Sequence, residues 1–194
     1  MKTPDLVFRG RRLSSDRALV LAAVEALPAA RDATRAAVAD GADLVSFAGP
    51  GAESLVAWAR ETFPGLVVGA ETADPAVAVA CCEAGADLLV ARADLSEVAA
   101  RFGTGYAAAS VPSGLPASGV VVDIGEFRTP LPDRPVLAGV PRDGTPAGLA
   151  LAALAASAGV AILRTRHVRE VRQVAEMAAS IAGTRPPAKA VRWE

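Results

Sequence analysis

Three charged residues lie at or just beyond the ends of short apolar segments that we predict to be strands of a parallel sheet. Asp123 ends the segment GVVVD, Arg164 ends VAILR, and Arg166 follows two residues later. In a barrel of parallel strands, the carboxyl ends carry the functional groups, and the edge after the last strands commonly binds phosphate. Arg164 and Arg166 are therefore candidates for an anion site. Asp123 is a candidate hydrogen-bond acceptor at the same edge.

Each candidate also has a purely structural explanation. Arg164 can form an ion pair at the rim, and Asp123 can accept hydrogen bonds from the turn at Gly125. Glu71, after another predicted strand, either assists Asp123 or points to solvent. His167, the sole histidine, stands at a strand–helix junction, where capping or exposure is commoner than general-base catalysis. The sequence offers no nucleophile with a base partner and no phosphate-binding loop motif, so no catalytic residue is assigned.

The composition indicates a globular α/β protein and argues against several classes. Hydrophobic residues make up 52% and aromatic residues 4% of the chain, so the core consists of Ala, Val and Leu. The net charge of -1 gives no support for nucleic-acid binding. Without a long apolar stretch or a secretory signal, we expect no membrane association and a cytoplasmic protein. Adjacent Cys81 and Cys82 are expected to be small helix residues, at least one of them buried, in a reduced compartment, and no metal site is predicted.

Eight short, almost continuously apolar runs alternate with segments that are compatible with helices. Continuous apolarity is typical of strands that are buried on both faces. Three helix-to-strand junctions end on Gly41, Gly85 or Gly159, which can adopt the left-handed conformation after a helix. We therefore predict a compact (β/α)8 TIM-type barrel. Its strands are expected at Ala18–Val24, Asp43–Phe47, Leu66–Gly69, Asp87–Ala91, Tyr106–Val111, Gly119–Asp123, Pro135–Val140 and Val160–Arg164.

Helix signals are clear in parts of the chain and missing in others. Helices are predicted at Ala29–Asp40, from Pro146 after a Thr145 N-cap to Ser157, and at Val168–Ala182. The connections Pro112–Ser118 and Ile124–Arg134 are too short or too rich in Pro and Gly for full helices. We expect outer helices five and six to be short or missing. The last helix is predicted to bury a stripe formed by Val168, Val171, Val174, Ala178 and Ile181.

The two ends of the chain differ from the barrel. Asp5–Leu13 is predicted to be a small hairpin that plugs the barrel floor. The prolines Pro186 and Pro187 are expected to break the last helix, and residues 184–194 to form a mobile tail. A barrel usually takes about 250 residues, so the 194 residues of this chain imply trimmed strand-to-helix loops. The predicted organisation is one barrel domain over residues 1–183.

An ordered set of segments resembles the dihydropteroate synthase family. The pair PVLAGVPRD and AGVAILRTRHVREVRQ resembles the end of that enzyme, where a Ser-Arg-Lys segment follows strand seven and Arg-x-His-Asp-Val ends strand eight. VVVDIGEF is similar to its Leu-Asp-Pro-Gly-x-Gly-Phe segment. Three earlier segments occupy the places of the family's Ser-x-Asp-Thr segment, its Gly-Ala-Asp-Ile-Ile-Asp-x-Gly-Gly-Glu-Ser-Thr segment, and its hairpin with the first strand. They are VVGAETADPAVAVACCEAGADLL, VADGADLVSFAGPGAE and FRGRRLSSDRALVLAAVEALP.

The resemblance implies a barrel that condenses p-aminobenzoate with a pterin methyl pyrophosphate, with Mg²⁺ accompanying the pyrophosphate. Several family residues are replaced. Glu25 and Val90 stand at the places of two asparagines, Asp143 replaces the lysine, and Arg166 replaces the histidine, with His167 one place late. Glu71 replaces a pterin-contacting aspartate. The first catalytic loop is absent and the second shrinks to AGPG. Of the usual polar residues, Asp123, Arg164 and Arg142 are retained.

Two functional hypotheses follow from this mixture. The first is a dihydropteroate-synthase-like protein without the standard activity, which acts as a binding or partner protein. The second is a working transferase on a pterin-like or phosphorylated substrate, with a lid supplied by another subunit. Both use the same predicted ligand-binding residues: Asp123, Glu71, Arg164, Arg142 and Arg166. Mg²⁺ is expected only with a pyrophosphate substrate. A homodimer or hetero-oligomer is expected to form through the C-terminal helices. A third, weaker hypothesis is an unrelated small barrel with convergent features.

Overall fold

The computed structural model describes residues 5–112, 114–140 and 144–186. Apolar runs and turn residues divide this part of the chain into ten strands and six α-helices. The strands are β1 (Leu6–Phe8), β2 (Arg11–Leu13), β3 (Leu19–Glu25), β4 (Leu44–Ala48), β5 (Val67–Thr72), β6 (Leu88–Ala91), β7 (Gly105–Ala108), β8 (Val120–Glu126), β9 (Val136–Gly139) and β10 (Ile162–Thr165). The helices are α1 (Ala30–Ala39), α2 (Ala52–Thr62), α3 (Pro75–Glu83), α4 (Ser96–Phe102), α5 (Pro146–Ser157) and α6 (Val168–Ile181).

Strands β3 to β10 form a closed barrel in which all neighbours are parallel. Each strand pairs with the next in chain order, and β10 closes the barrel by pairing with both β9 and β3. The continuous apolar runs arise because one face of each strand packs inside the barrel and the other packs under the helices. The predicted (β/α)8 barrel is confirmed, with all eight strands in the predicted order.

Two places in the outer layer lack a full helix, as the sequence predicts. Between β7 and β8 the described residues contain a 3-10 turn, Ala117–Gly119. Residues 127–135, between β8 and β9, are all described and none is helical. The connections from β3 to α1 and from β4 to α2 are also short, covering residues 26–29 and 49–51. The mouth of the barrel therefore carries little loop structure in these places.

The N-terminal hairpin closes the amino-terminal end of the barrel. Strands β1 and β2 are antiparallel, and the turn between them places Arg9 and Gly10 at positive φ. Leu6 and Phe8 are buried within the interior cluster of the barrel. A Cβ atom added to Gly105, the first residue of β7, would lie 2.1 Å from Cδ1 of Phe8. The predicted plug is therefore present, and it uses the space left by a glycine.

Local signals explain the helix boundaries. Thr145 accepts a hydrogen bond from the backbone N–H of Gly148 at 3.2 Å, and Pro146 follows it, so the predicted start of α5 is confirmed. Helix α6 ends before the predicted Pro186–Pro187 break, because Gly183 takes a φ of 72° just beyond it. Of the C-terminal segment expected to form a tail, residues 187–194 lie outside the described part of the chain.

One part of the predicted buried stripe on α6 is wrong. Val168, Val171 and Ala178 are buried, but Ile181 is 80% exposed. At 100° per residue, Ile181 lies about 110° from the centre of the buried face, which is near Ala175. Among the described residues, no helix combines the length and apolarity that crossing a membrane requires.

Candidate functional site

Side chains alternate between the two faces of a strand, and this alternation determines which residues face the barrel interior at the carboxyl ends of the strands. Interior positions at the bottom of the barrel are apolar, for example Leu21 on β3, Leu44 on β4 and Val67 on β5. Two residues further on, the interior positions carry small side chains, and two residues beyond those, two of the three positions carry charges. The pairing register aligns the small row, Ala23, Ser46 and Gly69, and the next row, Glu25, Ala48 and Glu71.

The row of small residues leaves a cavity of about 380 Å³ at the mouth of the barrel. Gly139 on β9 contributes to the same space. A Cβ atom added there would lie 3.2 Å from the carbonyl oxygen of Gly125 and 3.9 Å from Nη2 of Arg164. Its absence makes room for the carbonyl group of Gly125, whereas a Cβ atom would be in ordinary contact with Arg164. The charged side chains that line the cavity are Glu25, Glu71, Arg92, Glu126, Arg164 and Arg166.

Two carboxylates and two arginines form a closed ring of alternating charge across the mouth. Arg92 Nε donates to Glu71 Oε1 at 2.9 Å, and Arg92 Nη1 lies 3.4 Å from Asp123 Oδ2. Arg164 Nη1 lies 3.3 Å from Asp123 Oδ2 and 3.5 Å from Glu71 Oε2. We call these four residues, Glu71, Arg92, Asp123 and Arg164, the charge ring. They come from β5, β8, β10 and the residue after β6, so the barrel closure is what brings them together.

Burial makes the pairing within the charge ring necessary. The Asp123 side chain is only 3% exposed and that of Arg164 is 15% exposed. A charged group removed from water is costly unless an opposite charge and hydrogen bonds compensate it. Each member of the ring contacts two members of opposite sign, so its charge is compensated within the protein. The ring as a whole is electrically neutral.

A bulge in β8 orients Asp123. Between Asp123 and Glu126 the register gains a residue, since Asp123 pairs with Leu137 and Glu126 pairs with Gly139. Gly125 has a φ of 69°, and its N–H donates to Asp123 Oδ1 at 2.9 Å. The turn therefore holds one carboxylate oxygen, while the other faces the two arginines. The structural explanation for Asp123, in which the carboxylate accepts a hydrogen bond from the turn at Gly125, is confirmed, and its role as an acceptor for a ligand stays a prediction.

The remaining arginine of the predicted anion site is also paired. Arg166, after β10, forms an ion pair with Glu25 at the end of β3. Both side chains are about half exposed, so this pair contributes little to stability. It nevertheless places a carboxylate beside the third guanidinium of the mouth. Glu25 stands where the resemblance implies an asparagine, and Arg166 stands where it implies a histidine. The two replacement residues therefore pair with each other.

Ser46 is the one uncharged polar side chain in the small row described above. The residue is 1% exposed and lines the cavity, and its Oγ has no hydrogen-bond partner in the described structure. A buried hydroxyl without a partner costs free energy. Ser46 aligns with the second aspartate of the family segment that VADGADLVSFAGPGAE resembles. Its hydroxyl group can donate and accept a hydrogen bond at the floor of the cavity.

The structure brings together four of the five residues predicted to bind a ligand. Glu71, Asp123 and Arg164 lie in the charge ring, and Arg166 lies beside it. Arg142, the fifth, lies outside the described residues, as does Asp143. His167 is half-buried just before α6, and its backbone N–H donates to Thr165 Oγ1 at 2.9 Å.

Sequence reasoning missed Arg92 and Ser46. Arg92 directly follows the predicted fourth strand, and it lies two residues after the interior residue Val90. The alternation rule therefore offered a signal for it. Ser46 lies inside a predicted strand, two residues after the interior Leu44, and the same rule applies.

Metal-binding geometry is not found in the described part of the chain. Within residues 5–112, 114–140 and 144–186, no three acidic, His or Cys side chains come together as possible ligands of one ion. Glu71 and Asp123 both face arginines, which compete with a cation for the carboxylate oxygens. The protein's own described residues in the mouth therefore do not fit a Mg²⁺ site.

Comparisons with known proteins identify relatives that match about two thirds of the chain. A Mycobacterium tuberculosis protein named inactive dihydropteroate synthase 2 is 32% identical over 179 aligned residues. The match covers 69% of this chain and 56% of the relative, so the chain spans just over half the length of that curated relative. The Mycobacterium leprae protein of the same name is 31% identical. No family model matches the chain.

Solved structures show the same fold. The structure of Mycobacterium tuberculosis Rv1207 is 30% identical with a TM-score of 0.78, and the match covers 96% of this chain and all of that one. Dihydropteroate synthase from Burkholderia cenocepacia, complexed with 7,8-dihydropteroate, is 22% identical with a TM-score of 0.76. That match covers 93% of this chain and 97% of the other. Identity at the level of Rv1207 over the whole barrel excludes chance convergence.

Proposed function

Because this chain belongs to the dihydropteroate synthase family as a divergent member, we propose that it binds a small ligand and does not catalyse the family's condensation. The observation that carries the proposal is the charge ring. Arg164 and Arg92 both form ion pairs with Glu71 and Asp123, and Arg166 forms an ion pair with Glu25. The arginines that an anionic substrate would need are already neutralised.

The condensation requires positive groups aimed at the departing pyrophosphate. Among the described residues of the mouth, every guanidinium group has a carboxylate partner. An incoming anion would also meet those carboxylates. Two like charges 4 Å apart repel by about 4 kcal/mol at the effective dielectric of a protein surface. Pyrophosphate release would therefore be poorly supported at this site.

Water exclusion is a second requirement of the chemistry. A closed loop normally shields a reactive, carbocation-like carbon from water. Here residues 26–29 and 49–51 connect strands directly to helices, and such short connections cannot fold over the cavity. This geometry supports a site that binds without turning over.

A flat, N–H-rich molecule such as a pterin is the ligand type we propose for the cavity. Glu71, Arg164 and Arg166 line the 380 Å³ space, and Asp123 pairs with Arg164. The carboxylates supply acceptors and the arginines supply donors. Arg142 keeps its predicted role as a further contact. The binding of 7,8-dihydropteroate by the Burkholderia cenocepacia relative supports the ligand class.

An enzymatic and binding assay tests the proposal. The purified protein is incubated with a pterin methyl pyrophosphate, p-aminobenzoate and Mg²⁺, and pteroate is measured by chromatography. We expect no product, together with saturable binding of the pterin. Asp123→Asn should abolish pterin binding, whereas Asp133→Asn, the same change at an exposed site, should not. Steady formation of pteroate would contradict the proposed lack of activity and support the alternative of a working transferase.

The oligomeric state and location are part of the same proposal. Leu154 on α5 and Met177 and Ile181 on α6 are 59%, 53% and 80% exposed. Such residues support self-association through the C-terminal helices, as predicted from the sequence. The two free cysteines, both buried, support the predicted reducing, cytoplasmic setting.

A further inference from the structure

We propose that the mouth of the barrel selects planar cations of the amidinium type over anions of the same shape. The inference rests on the proposed function and adds the sign of the ligand's charge to it. Its two recognition groups are Glu126 at the rim and Ser46 at the floor. This preference is opposite to that of a site built to hold a pyrophosphate group.

The charge balance around the cavity favours a cation. Three guanidinium groups face four carboxylates among the described residues of the mouth: Arg92, Arg164 and Arg166 against Glu25, Glu71, Asp123 and Glu126. All are compensated except Glu126, which is exposed and has no partner within the described structure. The segment 141–143, which lies outside the described residues, carries one charge of each sign. The uncompensated charge of the site is therefore negative.

Ser46 provides an independent sign that the cavity is built for a ligand. Its hydroxyl is buried, lines the cavity and lacks a partner. A buried polar atom without a partner is uncommon, and a ligand is one means of satisfying it. Ser46 lies two residues deeper along β4 than Ala48, so a bound molecule reaches it only by entering the barrel.

The positions of the two groups set the shape of the ligand. In the strand order, β4 and β8 are four strands apart in a barrel of eight, so they face each other. A molecule that contacts Ser46 on β4 and Glu126 on β8 therefore spans the barrel. It enters between the charge ring and the wall formed by Ala23 and Ala48. A planar ring with an amidinium head and a polar atom at its opposite edge satisfies both ends, since the N–H groups face the carboxylate and the polar atom reaches Ser46 at the floor.

Benzamidine and benzoate test the proposal because they share a shape and differ in charge. Each is titrated into ¹⁵N-labelled protein, and amide shifts at Ser46, Gly125 and Glu126 are followed. We expect benzamidine to bind at least tenfold more tightly than benzoate. Glu126→Gln should reduce that ratio at least threefold, whereas Glu61→Gln, at the far end of α2, should leave it unchanged.

Ser46→Ala separates recognition from stability. Because the hydroxyl has no partner in the free protein, its removal should leave the melting temperature unchanged or raise it. Binding of 4-hydroxybenzamidine, whose hydroxyl group can hydrogen-bond to Ser46, should weaken about threefold or more. Equal affinity for the two probes, tighter binding of benzoate, or no shifts at the mouth with either probe overturns the proposal. Pteroate formation in the synthase assay, by contrast, bears only on the proposed lack of activity.

Discussion

The two carboxylate oxygens of Asp123 have different partners. Oδ1 accepts the Gly125 N–H at 2.9 Å, while Oδ2 lies within 3.4 Å of both Arg92 and Arg164. The bulge and the charge ring are therefore coupled through a single carboxylate. A change in the turn at Gly125 would displace a charge at the mouth, although the glycine itself bears no functional group.

The two adjacent cysteines give a pH-dependent prediction at the residue scale. Burial raises the pKa of the Cys81 thiol to about 12, and it raises the pKa of Cys82 as well. A folded pKa above the ordinary value of 9.0 means that the folded state disfavours the thiolate. This contribution to stability is complete below about pH 9, and it is lost as pH rises towards 12, by at most about 1.4 kcal/mol per pH unit.

Urea denaturation between pH 8 and pH 10.5 measures this effect. The free energy of unfolding should fall above pH 9, and Cys81→Ala should show a smaller fall because one of the buried thiols is gone. Cys81→Ala will also be less stable at pH 8, so the comparison uses the slope against pH. An identical slope in the two proteins would contradict the predicted role of the thiol.

At the scale of elements, the contact between the hairpin and the barrel floor can be tested by a double-mutant cycle. Gly105→Ala would place a Cβ atom 2.1 Å from the Phe8 ring, so overpacking should cost about 1–3 kcal/mol. Phe8→Ala should cost about 3–5 kcal/mol through the cavity it creates. In the Phe8→Ala background the alanine at 105 should cost little, since its space is free. Additive losses in urea denaturation would show that the two residues do not compete for one space.

Apolar runs located the strands but not the ends that matter for the site. The third predicted strand ended at Gly69 and the sixth at Asp123, whereas β5 extends to Thr72 and β8 extends to Glu126. The added residues include the polar Glu71, Thr72 and Glu126, and the backbone ladder continues through them although the apolar pattern stops. Apolar periodicity detects burial and not backbone hydrogen bonding, so it does not detect the polar strand residues at the mouth of a barrel.

The charge ring could be predicted only in part for a related reason. Alternation within a strand assigns Glu71, Asp123 and Arg164 to the interior, and it would have assigned Arg92 as well. The pairings, however, join residues 21 to 93 positions apart. They depend on the tilt and closure of the barrel, which a single sequence does not specify. The resemblance to the synthases indicated which residues lie near the site, but not which of them form ion pairs with each other.

For the whole molecule, the exposed apolar residues near the C-terminus predict self-association. We expect the wild type to elute as a dimer in size-exclusion chromatography with light scattering. Ile181→Asp should convert it to a monomer, because a charge in an apolar contact must be desolvated. Leu27, which is 60% exposed at the other end of the barrel, provides the control: Leu27→Asp should leave the dimer intact. A monomeric wild type at micromolar concentration would exclude this interface.

The closed ring of alternating charges also has an evolutionary consequence. Because each arginine shares its two carboxylates with the other, replacing Glu71 alone by glutamine would leave two guanidinium groups facing one carboxylate. The charge ring would then carry a spare positive charge, and the mouth as a whole, with Glu126 included, would change from one net negative charge to none. A mouth that disfavours anions and a mouth that no longer does so are thus a single amino-acid substitution apart. The barrel can move between these two binding preferences without rebuilding its backbone.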